Sequence, residues 1–581
     1  MIEFLVAVAA LLGFAMLIAY ASGKPLEVTL LPTCCAAIIA LFVGGAAGHL
    51  ATTQAWVLRI GVIAFTIAMI TTRARCLRWL AEPGPVLIGA LLLFVAWINR
   101  NGAFTVWDEY SHWGHISRFL HDRGSFPTSS AEVALLDYPF GTGLFHYVFN
   151  AAGAYSEISA INSQAILQAA SFLSLFAGLS WRQWPIAICL AAISLCIGYA
   201  FFLSQWANVL IDNTLAIVAA GAILVYWRGG TDWRSILLAA PVLASLPLLK
   251  STGAFLAFAG LAAIGLDLIA QSVGARRLLF RSFCAITLAA TAVWIVRRGW
   301  QAHVHGLNVG ATFPTSTSAI LNRLNTAEFG PYAASLVQAF VRGLFATPIA
   351  YSYLDTIRWT VAIIAAGALS TLVRPTWNWF ARAMTFHSTL VGAFAIYVAG
   401  LLALYLFSFT TYEGSRLASF GRYLGCYILF WLVATLALIV PDAKGMSWRS
   451  MVAGALLLVV ATGSAILAQP HIAMQIQGPY PASNLIPRQT VKERLGYFAA
   501  HVPVTAGVYI VWTGTPGLEH RIARYELTPR RSSTWCWSPG PPRFSGDVWS
   551  CDWSLDEATR ILAGYDYLFI GHADDIFWSK Y

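Results

Sequence analysis

Long apolar runs alternate with short polar junctions over most of the chain. About 20 apolar residues in a helix cross the hydrocarbon core of a bilayer, and most of the runs approach that length. The runs fall near residues 2–21, 28–47, 54–71, 84–98, 158–181, 184–202, 209–227, 235–249, 252–271, 283–296, 359–373, 386–408, 423–440 and 451–467. This pattern predicts about fourteen transmembrane helices, of which 84–98 and 235–249 are short.

The end of the chain follows a different pattern. Residues 507–512 and 565–571 are short apolar runs typical of buried strands, and residues 555–563 favour a short helix. The sequence therefore predicts a polytopic α-helical membrane domain over residues 1–467, followed by a small C-terminal α/β domain over residues 468–581.

Two cysteines lie in the polar tail, within a stretch rich in Pro, Gly, Ser and Trp. Cys536 and Cys551 could form a disulfide if their compartment is oxidising. The other seven of the nine cysteines lie in or beside apolar runs, as small core residues do. The tryptophans of residues 535–553 could stack on sugar rings or pack beneath the disulfide, and the sequence leaves both open.

Composition and charge narrow the class of protein. With 58% apolar and 11% charged residues, the chain has the balance of a multi-pass membrane protein and not of a soluble domain. The net charge of +10 arises from Lys and Arg residues that separate the apolar runs. Membrane topology and anionic membrane lipids explain such a distribution better than a nucleic-acid partner does.

The basic residues also predict an orientation. They occupy alternate junctions: Lys24; Arg73, Arg75 and Arg78; Arg182; Arg228 and Arg234; Arg276, Arg277 and Arg281; Arg374 and Arg382; Lys444 and Arg449. With these junctions in the cytoplasm, the loop 99–157, the loop 297–358 and the C-terminal domain face the outer side. The compact loops favour a bacterial inner membrane, so this outer side is expected to be the periplasm.

An acidic pair marks the first outer loop, shortly after an apolar run. Carboxylates at a membrane boundary are costly, which favours a functional role for Asp108 and Glu109 over a helix cap or a surface ion pair. If 105–122 is helical, Asp108 shares a face with His112 and His115. Glu109 then falls on the apolar face, expected to lie on the bilayer interface, with Trp113, Ile116 and Leu120. This wheel favours Asp108 as the reactive carboxylate.

Further polar residues are predicted on the same side. Asp137 and Tyr138 follow in the acidic loop, and Asp212 opens a later apolar run, where it could also act as a helix cap. The candidate cations are Lys250, Arg297, Arg298, Arg416 and Arg422. Carboxylates and cations at one membrane surface suit a substrate that has a nucleophilic hydroxyl and a phosphate.

Five short motifs, taken in order, resemble those of the GT-C membrane glycosyltransferases, the class with protein mannosyltransferases and lipid A aminoarabinose transferases. They are Trp107-Asp108-Glu109, Asp137-Tyr138-Pro139, Asp212-Asn213-Thr214-Leu215, residues 248–253 and residues 421–424. The resemblance covers roughly residues 84–440. It departs from the simplest pattern in the roughly four helices that precede the acidic loop and in the histidines that follow the acidic pair.

The resemblance implies a fold, a reaction and a set of roles. Asp108 or Glu109 would be the general base, and Asp212 would orient the acceptor or a cation. Lys250, Arg416 and Arg422 would bind the phosphate of a polyprenyl-phosphate sugar donor. The sugar would pass, with inversion, to a glycan, lipid or protein acceptor.

Several alternatives stay open at this point. A divalent metal ion held by Asp108, His112 and His115 is possible by their spacing, but no further ligand is evident, and the histidines could be ordinary loop residues. Lys250 could extend from a short hairpin to the interface, and Tyr138 could belong to a turn. A polysaccharide polymerase or ligase, or a transporter or flippase of a lipid-linked glycan, are rival functions. Nearly charge-free apolar runs without visible repeats argue against transport.

Overall fold

The computed structural model describes residues 2–151, 153–272, 274–314, 316–441, 447–479, 482–545 and 547–581; Lys444 lies outside them. Twenty helices form the first part of the chain. They are α1 (Ile2–Ser22), α2 (Leu30–Ala46), α3 (Leu50–Thr71), α4 (Arg73–Leu80), α5 (Pro83–Ile98), α6 (Gly114–Arg123), α7 (Gly141–Asn150), α8 (Glu157–Leu173), α9 (Trp184–Cys196), α10 (Ile211–Arg228), α11 (Trp233–Leu249), α12 (Gly253–Ser272), α13 (Arg276–Gly306), α14 (Thr317–Leu324), α15 (Phe329–Ala346), α16 (Thr356–Val373), α17 (Trp377–Phe407), α18 (Thr411–Ser415), α19 (Phe420–Ile439) and α20 (Trp448–Gln477).

The helical, multi-pass character predicted from the apolar runs is confirmed. Within the described residues, eleven helices are long and apolar enough to cross a bilayer, and α4 with α5 would make a twelfth if this pair, bent by 61°, is one span. Each of the remaining predicted runs also falls on a helix, but α8 lacks the length or hydropathy of a span and α11 has only 17 residues. The count of fourteen therefore stays a prediction.

Two helices, α10 and α19, form the centre of the bundle. They pack against each other and are almost entirely buried, whereas α3, α13, α16, α17 and α20 keep large exposed apolar faces. An exposed apolar face suits contact with lipid, and a helix apolar on all sides suits the interior of a bundle. The first turns of α10 and α19 carry Asp212 and Arg422, so both side chains are held by the most rigidly packed part of the molecule.

The C-terminal domain has α/β structure, as expected. Its elements are α21 (Leu485–His501), β1 (Gly507–Trp512), α22 (Leu518–Leu527), β2 (Arg531–Ser532), β3 (Ser538–Pro539), β4 (Ser550–Cys551), α23 (Leu555–Leu562), β5 (Tyr567–His572) and α24 (Asp575–Lys580). A parallel sheet has the order β2-β1-β5, with the fully buried β1 in the centre. Both predicted strands and the predicted helix are present. The apolar α20 extends to Gln477, and the division between residues 467 and 468 stays a prediction.

A disulfide joins Cys536 to Cys551, whose Cα atoms are 5.4 Å apart. It lies beside the short parallel pair of β3 and β4. Within this loop Trp537 is buried and stacks on His520 with ring centroids 4.7 Å apart, whereas Trp535 is exposed. Packing therefore accounts for Trp537, whereas Trp535 is open to solvent.

The three polar segments that the sequence assigns to one face contact one another. Asp137, in the first loop, accepts hydrogen bonds from the backbone N–H (2.8 Å) and the hydroxyl (2.6 Å) of Thr312, in the second loop. Ser532, in the C-terminal domain, donates its N–H to the carbonyl of Ala131 at 2.8 Å. All three segments thus lie on the same side of the helices.

Candidate active site

Four charged side chains from separate parts of the chain meet at one end of α10, α11 and α19. Arg422 Nη1 lies 2.6 Å from Asp108 Oδ2, and Arg422 Nε lies 3.2 Å from Asp212 Oδ2. Lys250 Nζ lies 2.5 Å from the other oxygen of Asp212, Oδ1. Carboxylates and cations therefore alternate in the order Asp108, Arg422, Asp212, Lys250. We call these four residues the charged cluster.

Local backbone structure places each member of the cluster. Lys250 ends α11 in an extended conformation, and α12 begins three residues later at Gly253, where an added Cβ would lie 2.0 Å from the carbonyl oxygen of Leu246. Only glycine permits such a tight hairpin. Before α19, Leu417 and Ser419 adopt positive φ angles of 46° and 61°, which turn the chain sharply into the first turn of that helix.

The cluster has an open side and a closed side. The side chains of Asp108 and Arg422 are 28% and 30% exposed, whereas those of Asp212 and Lys250 are 6% and 15% exposed. Tyr423 lies beside the cations, with Lys250 Nζ 5.0 Å from its ring centroid. A reacting molecule would therefore meet Asp108 and Arg422 first, with the Asp212–Lys250 pair behind them.

The carboxylate of Glu109 is bonded to the backbone and has a structural role. It is fully buried; Oε2 accepts from the N–H groups of Thr105 (2.7 Å) and Val106 (2.9 Å), and Oε1 accepts from the N–H of Val209 (3.2 Å). Burial raises the pKa of this carboxyl to about 7, against the lowering effect of these three bonds. The carboxylate thus fastens the acidic loop to the segment before α10 and does not face the open side of the cluster.

The prediction that one face of the acidic helix lies on the bilayer interface is wrong. Glu109 is buried inside the protein together with Trp113, Ile116 and Leu120. The reason is that α7 packs on α6, with Ile116 and Leu120 beside Gly143, and α22 of the C-terminal domain packs on Glu109–Trp113, so the apolar face meets protein. Sequence periodicity identifies an apolar face but not what covers it.

The predicted metal set is not assembled either. Within the described residues, no group of three or more His, Cys, Asp and Glu side chains is arranged to hold a metal ion. Residues Glu109–Trp113 form a π-helical turn, so the spacing of 100° per residue does not apply there. Asp108 turns to Arg422, His112 Nδ1 lies 3.3 Å from the carbonyl of Ala134, and His115 lies against Tyr525. Burial lowers the pKa of His112 to about 4 and lowers that of His115 well below its usual value.

Tyr138 and Asp137, the other two candidates of the acidic loop, differ in their distance from the charged cluster. The ring of Tyr138 lies 5.4 Å from that of His112. Burial raises the pKa of the Tyr138 hydroxyl, and the nearby Tyr423, Asp137 and Asp108 add to this effect. Tyr138 thus lies close to the charged cluster, whereas Asp137 turns away to hold Thr312.

Three of the five candidate cations are not brought to the cluster. Arg297 and Arg298 are exposed on α13, where the guanidinium of Arg298 lies over Trp294. Arg416 is exposed in the turn before α19 and lies 3.8 Å from the ring centroid of Tyr412. No described ion pair joins any of the three to Asp108 or Asp212, so only Lys250 and Arg422 of the predicted phosphate ligands meet the carboxylates.

A second ionic network, absent from the sequence prediction, attaches the C-terminal domain beside the acidic loop. Arg488 of α21 binds both oxygens of Glu157 (2.9 and 2.5 Å) and lies 3.0 Å from Glu526 of α22. The Tyr525 hydroxyl donates to Glu157 at 2.6 Å. A polar cleft of about 640 Å³ opens next to this network. A charged residue such as Arg488 needs partners when it is buried, but the sequence does not show which acidic residues of the chain those partners are.

An apolar groove lies between two helices of the bundle. It has a volume of about 400 Å³ between α12 and α17 and is lined by residues that include Phe255, Phe258, Leu266, Gly392 and Ile396. Phe255 contacts the ring of Tyr397 at 5.7 Å, and the Tyr397 hydroxyl donates to the carbonyl of Tyr423 at 3.0 Å. Because Tyr423 also contacts Lys250, a short series of contacts joins the groove to the charged cluster.

The geometry supplies a partly exposed carboxylate, two cations with unused donors and an adjacent apolar groove. Asp108 Oδ1 accepts no hydrogen bond from the described residues, which leaves an oxygen that can take a proton. No family model matches the chain, and neither a curated protein nor a solved structure is found to be similar to it.

Proposed function

We propose that the protein is an inverting membrane glycosyltransferase that moves a sugar from a polyprenyl-phosphate donor to an acceptor hydroxyl. The observation that carries the proposal is the position of Arg422 between Asp108 and Asp212, with Lys250 on the far side of Asp212. One carboxylate with a free oxygen and two cations at one surface match the needs of a displacement at a sugar phosphate. The resemblance of the motifs to those of GT-C enzymes points the same way.

In this reaction the acceptor oxygen attacks the anomeric carbon while the bond between that carbon and the phosphate oxygen breaks. Asp108 takes the proton of the acceptor hydroxyl, and the electron pair of the broken bond leaves with the polyprenyl phosphate. The new bond forms on the face opposite the leaving group, so the anomeric configuration inverts. Phosphate leaves as a stable anion, and a second carboxylic acid is therefore not needed to protonate it.

The cations of the cluster would hold the departing phosphate. A guanidinium has five N–H donors and an ammonium has three, and the described contacts of Arg422 and Lys250 use only some of them. Charge-assisted hydrogen bonds from such groups strengthen as negative charge develops on the phosphate oxygen. Asp212 keeps both cations in place and compensates their charge before the donor arrives.

The apolar groove between α12 and α17 would take part of the isoprenoid chain. Its lining is apolar, and its contacts through Tyr397 and Tyr423 reach Lys250. A lipid that enters from the bilayer would bring its phosphate to the cluster while its isoprenoid chain stays in apolar surroundings. The basic junctions favour the outer side of a bacterial cytoplasmic membrane for this end of the helices, and the acceptor there would be a glycan, lipid or protein.

Binding of a polyprenyl phosphate tests the proposal. Purified protein in lipid nanodiscs would be titrated with undecaprenyl phosphate, and the bound lipid would be counted by native mass spectrometry. Arg422→Gln should weaken binding at least tenfold, since it removes charge-assisted bonds to the phosphate. Arg298→Gln, on the exposed face of α13, is the matched control. Equal binding by the wild type and Arg422→Gln would refute the assignment.

A further inference from the structure

Helix α22 of the C-terminal domain brings two arginines into the boundary with the acidic loop. Arg521 is 6% exposed and Arg524 is 1% exposed. Neither forms a salt bridge with any carboxylate that the structure describes. Burial lowers the pKa of Arg521 to about 10 and that of Arg524 to about 9. A buried cation without a counterion is costly, so this placement calls for a reason.

The hydrogen bonds of the two arginines differ. Arg524 donates through Nε to the hydroxyl of Ser532 (3.0 Å) and through Nη2 to the carbonyl of Ser130 (2.9 Å), so it helps to join the domain to the loop. Arg521 Nε and Nη1 have no partner within the described part of the chain, and the same is true of Arg524 Nη1. The described contacts of the Arg521 guanidinium are with aromatic rings.

Those neighbours place Arg521 beside the residue that precedes Asp108 of the charged cluster. Its guanidinium carbon lies 5.2 Å from the ring centroid of Trp107 and 5.5 Å from that of Trp537. Trp107 is partly exposed and directly precedes Asp108 in the chain. A group bound by Arg521 would therefore lie at the edge of the Trp107 ring, on the approach to Asp108.

The surroundings of Arg521 are basic. His115 is buried with both ring nitrogens unpartnered among the described residues, and Arg524, Arg118 and Arg521 act together with burial to keep it neutral. Arg521 and Arg524 therefore keep unused donors at this boundary among the described residues, where Oε2 of Glu519 on the same helix also has no hydrogen-bond partner. Buried donors are nearly always satisfied by a partner, and planar guanidinium groups match the oxygens of phosphate and carboxylate groups.

We propose that Arg521, supported by the charge of Arg524, forms an anion-binding subsite that holds a phosphate or carboxylate group of the acceptor. The aromatic rings of Trp107 and Trp537 fix the orientation of the guanidinium towards its ligand and exclude water from it. The assignment to the acceptor rests on the proposed function; the binding of an oxyanion at Arg521 does not. The acceptor class is accordingly an acidic glycan or a phosphorylated lipid.

The test measures binding without turnover. Full-length protein in phosphatidylcholine nanodiscs would be titrated, at constant ionic strength, with glucuronate, inorganic phosphate or neutral glucose, and Kd would be obtained by calorimetry. Glucuronate or phosphate should bind at least tenfold more tightly than glucose. Arg521→Gln should weaken anion binding at least tenfold, and Arg521→Lys should weaken it less because the charge remains. Arg560→Gln, exposed on α23 in the same domain, is the matched control and should leave Kd unchanged.

A stability measurement separates this role from a structural one. Because Nε and Nη1 of Arg521 have no hydrogen-bond partner among the described residues, Arg521→Gln should leave Tm unchanged or raise it. Anion binding that survives in Arg521→Gln would overturn the proposal, and so would the absence of anion binding in the wild type. Occupation of the subsite by phosphatidylglycerol in the nanodisc, abolished by Arg521→Gln, would overturn the assignment to the acceptor. The titrations contain no sugar donor, so their outcome does not depend on whether the protein transfers a sugar.

Discussion

The guanidinium of Arg422 lies 2.6 Å from the carboxylate of Asp108, although 314 positions separate the two residues in the chain. Both side chains are about one-third exposed, and together they form the open side of the charged cluster. Asp212, which Arg422 also contacts, is almost completely buried behind them. In the proposed reaction, this difference in exposure favours Asp108 as the reactive carboxylate and Asp212 as the supporting one.

Asp108→Asn should abolish sugar transfer and leave the fold intact. An amide cannot accept the proton of the acceptor hydroxyl, and loss of a general base lowers rates by roughly 10²–10⁴-fold. The ion pair that it removes is partly exposed, and such pairs contribute about 1 kcal/mol or less to stability. The rate of transfer by purified protein and the Tm would be measured together.

Glu109→Gln is the matched control for this experiment, because it changes the adjacent carboxylate in the same way. Glu109 is buried and bonded to backbone N–H groups, so its replacement should alter stability and keep more than a tenth of the transfer rate per folded molecule. A variant Asp108→Asn with the full rate, or Glu109→Gln without any, would reverse the assignment of the base.

Glu109 should also make the stability depend on pH. Burial raises its folded-state pKa from 4.5 to about 7, so the folded state binds the proton more tightly than the unfolded state does. The protein is then most stable below the unfolded pKa and loses up to about 3 kcal/mol as the pH rises between the two values. The difference in Tm between the wild type and Glu109→Gln should decrease as the pH rises from 5 to 7.5. Above pH 7.5 it should stay constant.

A difference in Tm that does not change over this range would show that Glu109 keeps an ordinary pKa. The subtraction is necessary because other groups titrate in the same range. Glu132→Gln provides a second reference, since it makes the same change at the surface, where Glu132 accepts a hydrogen bond from the N–H of Thr128.

The apolar runs were sufficient to predict the helices, because burial in lipid or protein imposes long apolar segments wherever a helix crosses. The strand at Gly507–Trp512 was evident for a related reason, since all its residues are buried. The motifs also identified Asp108, Asp212, Lys250 and Arg422. Their pairing was not predictable, because ion pairs between remote segments leave no trace in local periodicity. For the same reason Arg297, Arg298 and Arg416 could not be told apart from Arg422 by sequence.

The environment of Glu109 was missed for a different reason. A helical wheel places side chains on faces, but the π-helical turn at Glu109–Trp113 changes the spacing, and the covering helix α22 lies some 400 positions later in the chain. The network of Arg488 with Glu157 was missed likewise. Arg488 and Glu157 are unremarkable charges in the sequence, and their ion pair forms because the C-terminal domain docks beside the acidic loop.

Arg488→Met should detach the C-terminal domain from the acidic loop. The substitution leaves Glu157 and Glu526 close together without their shared cation, and breaking a buried ion pair in this way costs about 3–5 kcal/mol. Amide hydrogen exchange in α21 and α22 should accelerate, and limited proteolysis should release the domain sooner. Lys492→Met is the control: its half-exposed pair with Glu526, at 3.5 Å, should contribute about 1 kcal/mol or less. Equal protection in both variants would show that the network does not hold the domain.

The disulfide between Cys536 and Cys551 offers a test of the proposed orientation. If the C-terminal domain lies in an oxidising compartment, the pair should be oxidised in the cell. Intact cells would be treated with N-ethylmaleimide, and thiols exposed by later reduction would be counted by mass spectrometry. Both cysteines should be labelled only after reduction.

The same pair should stabilise the domain. A disulfide that closes a loop of about 15 residues contributes about 3 kcal/mol by restricting the unfolded chain. Cys536→Ser with Cys551→Ser should therefore lower the Tm of the C-terminal domain and leave the charged cluster in place, because the cluster has no contact with either cysteine. Labelling of Cys536 and Cys551 without prior reduction would place the domain, and with it Asp108 on the same side of the helices, in a reducing compartment. The donor and acceptor would then have to be sought in the cytoplasm.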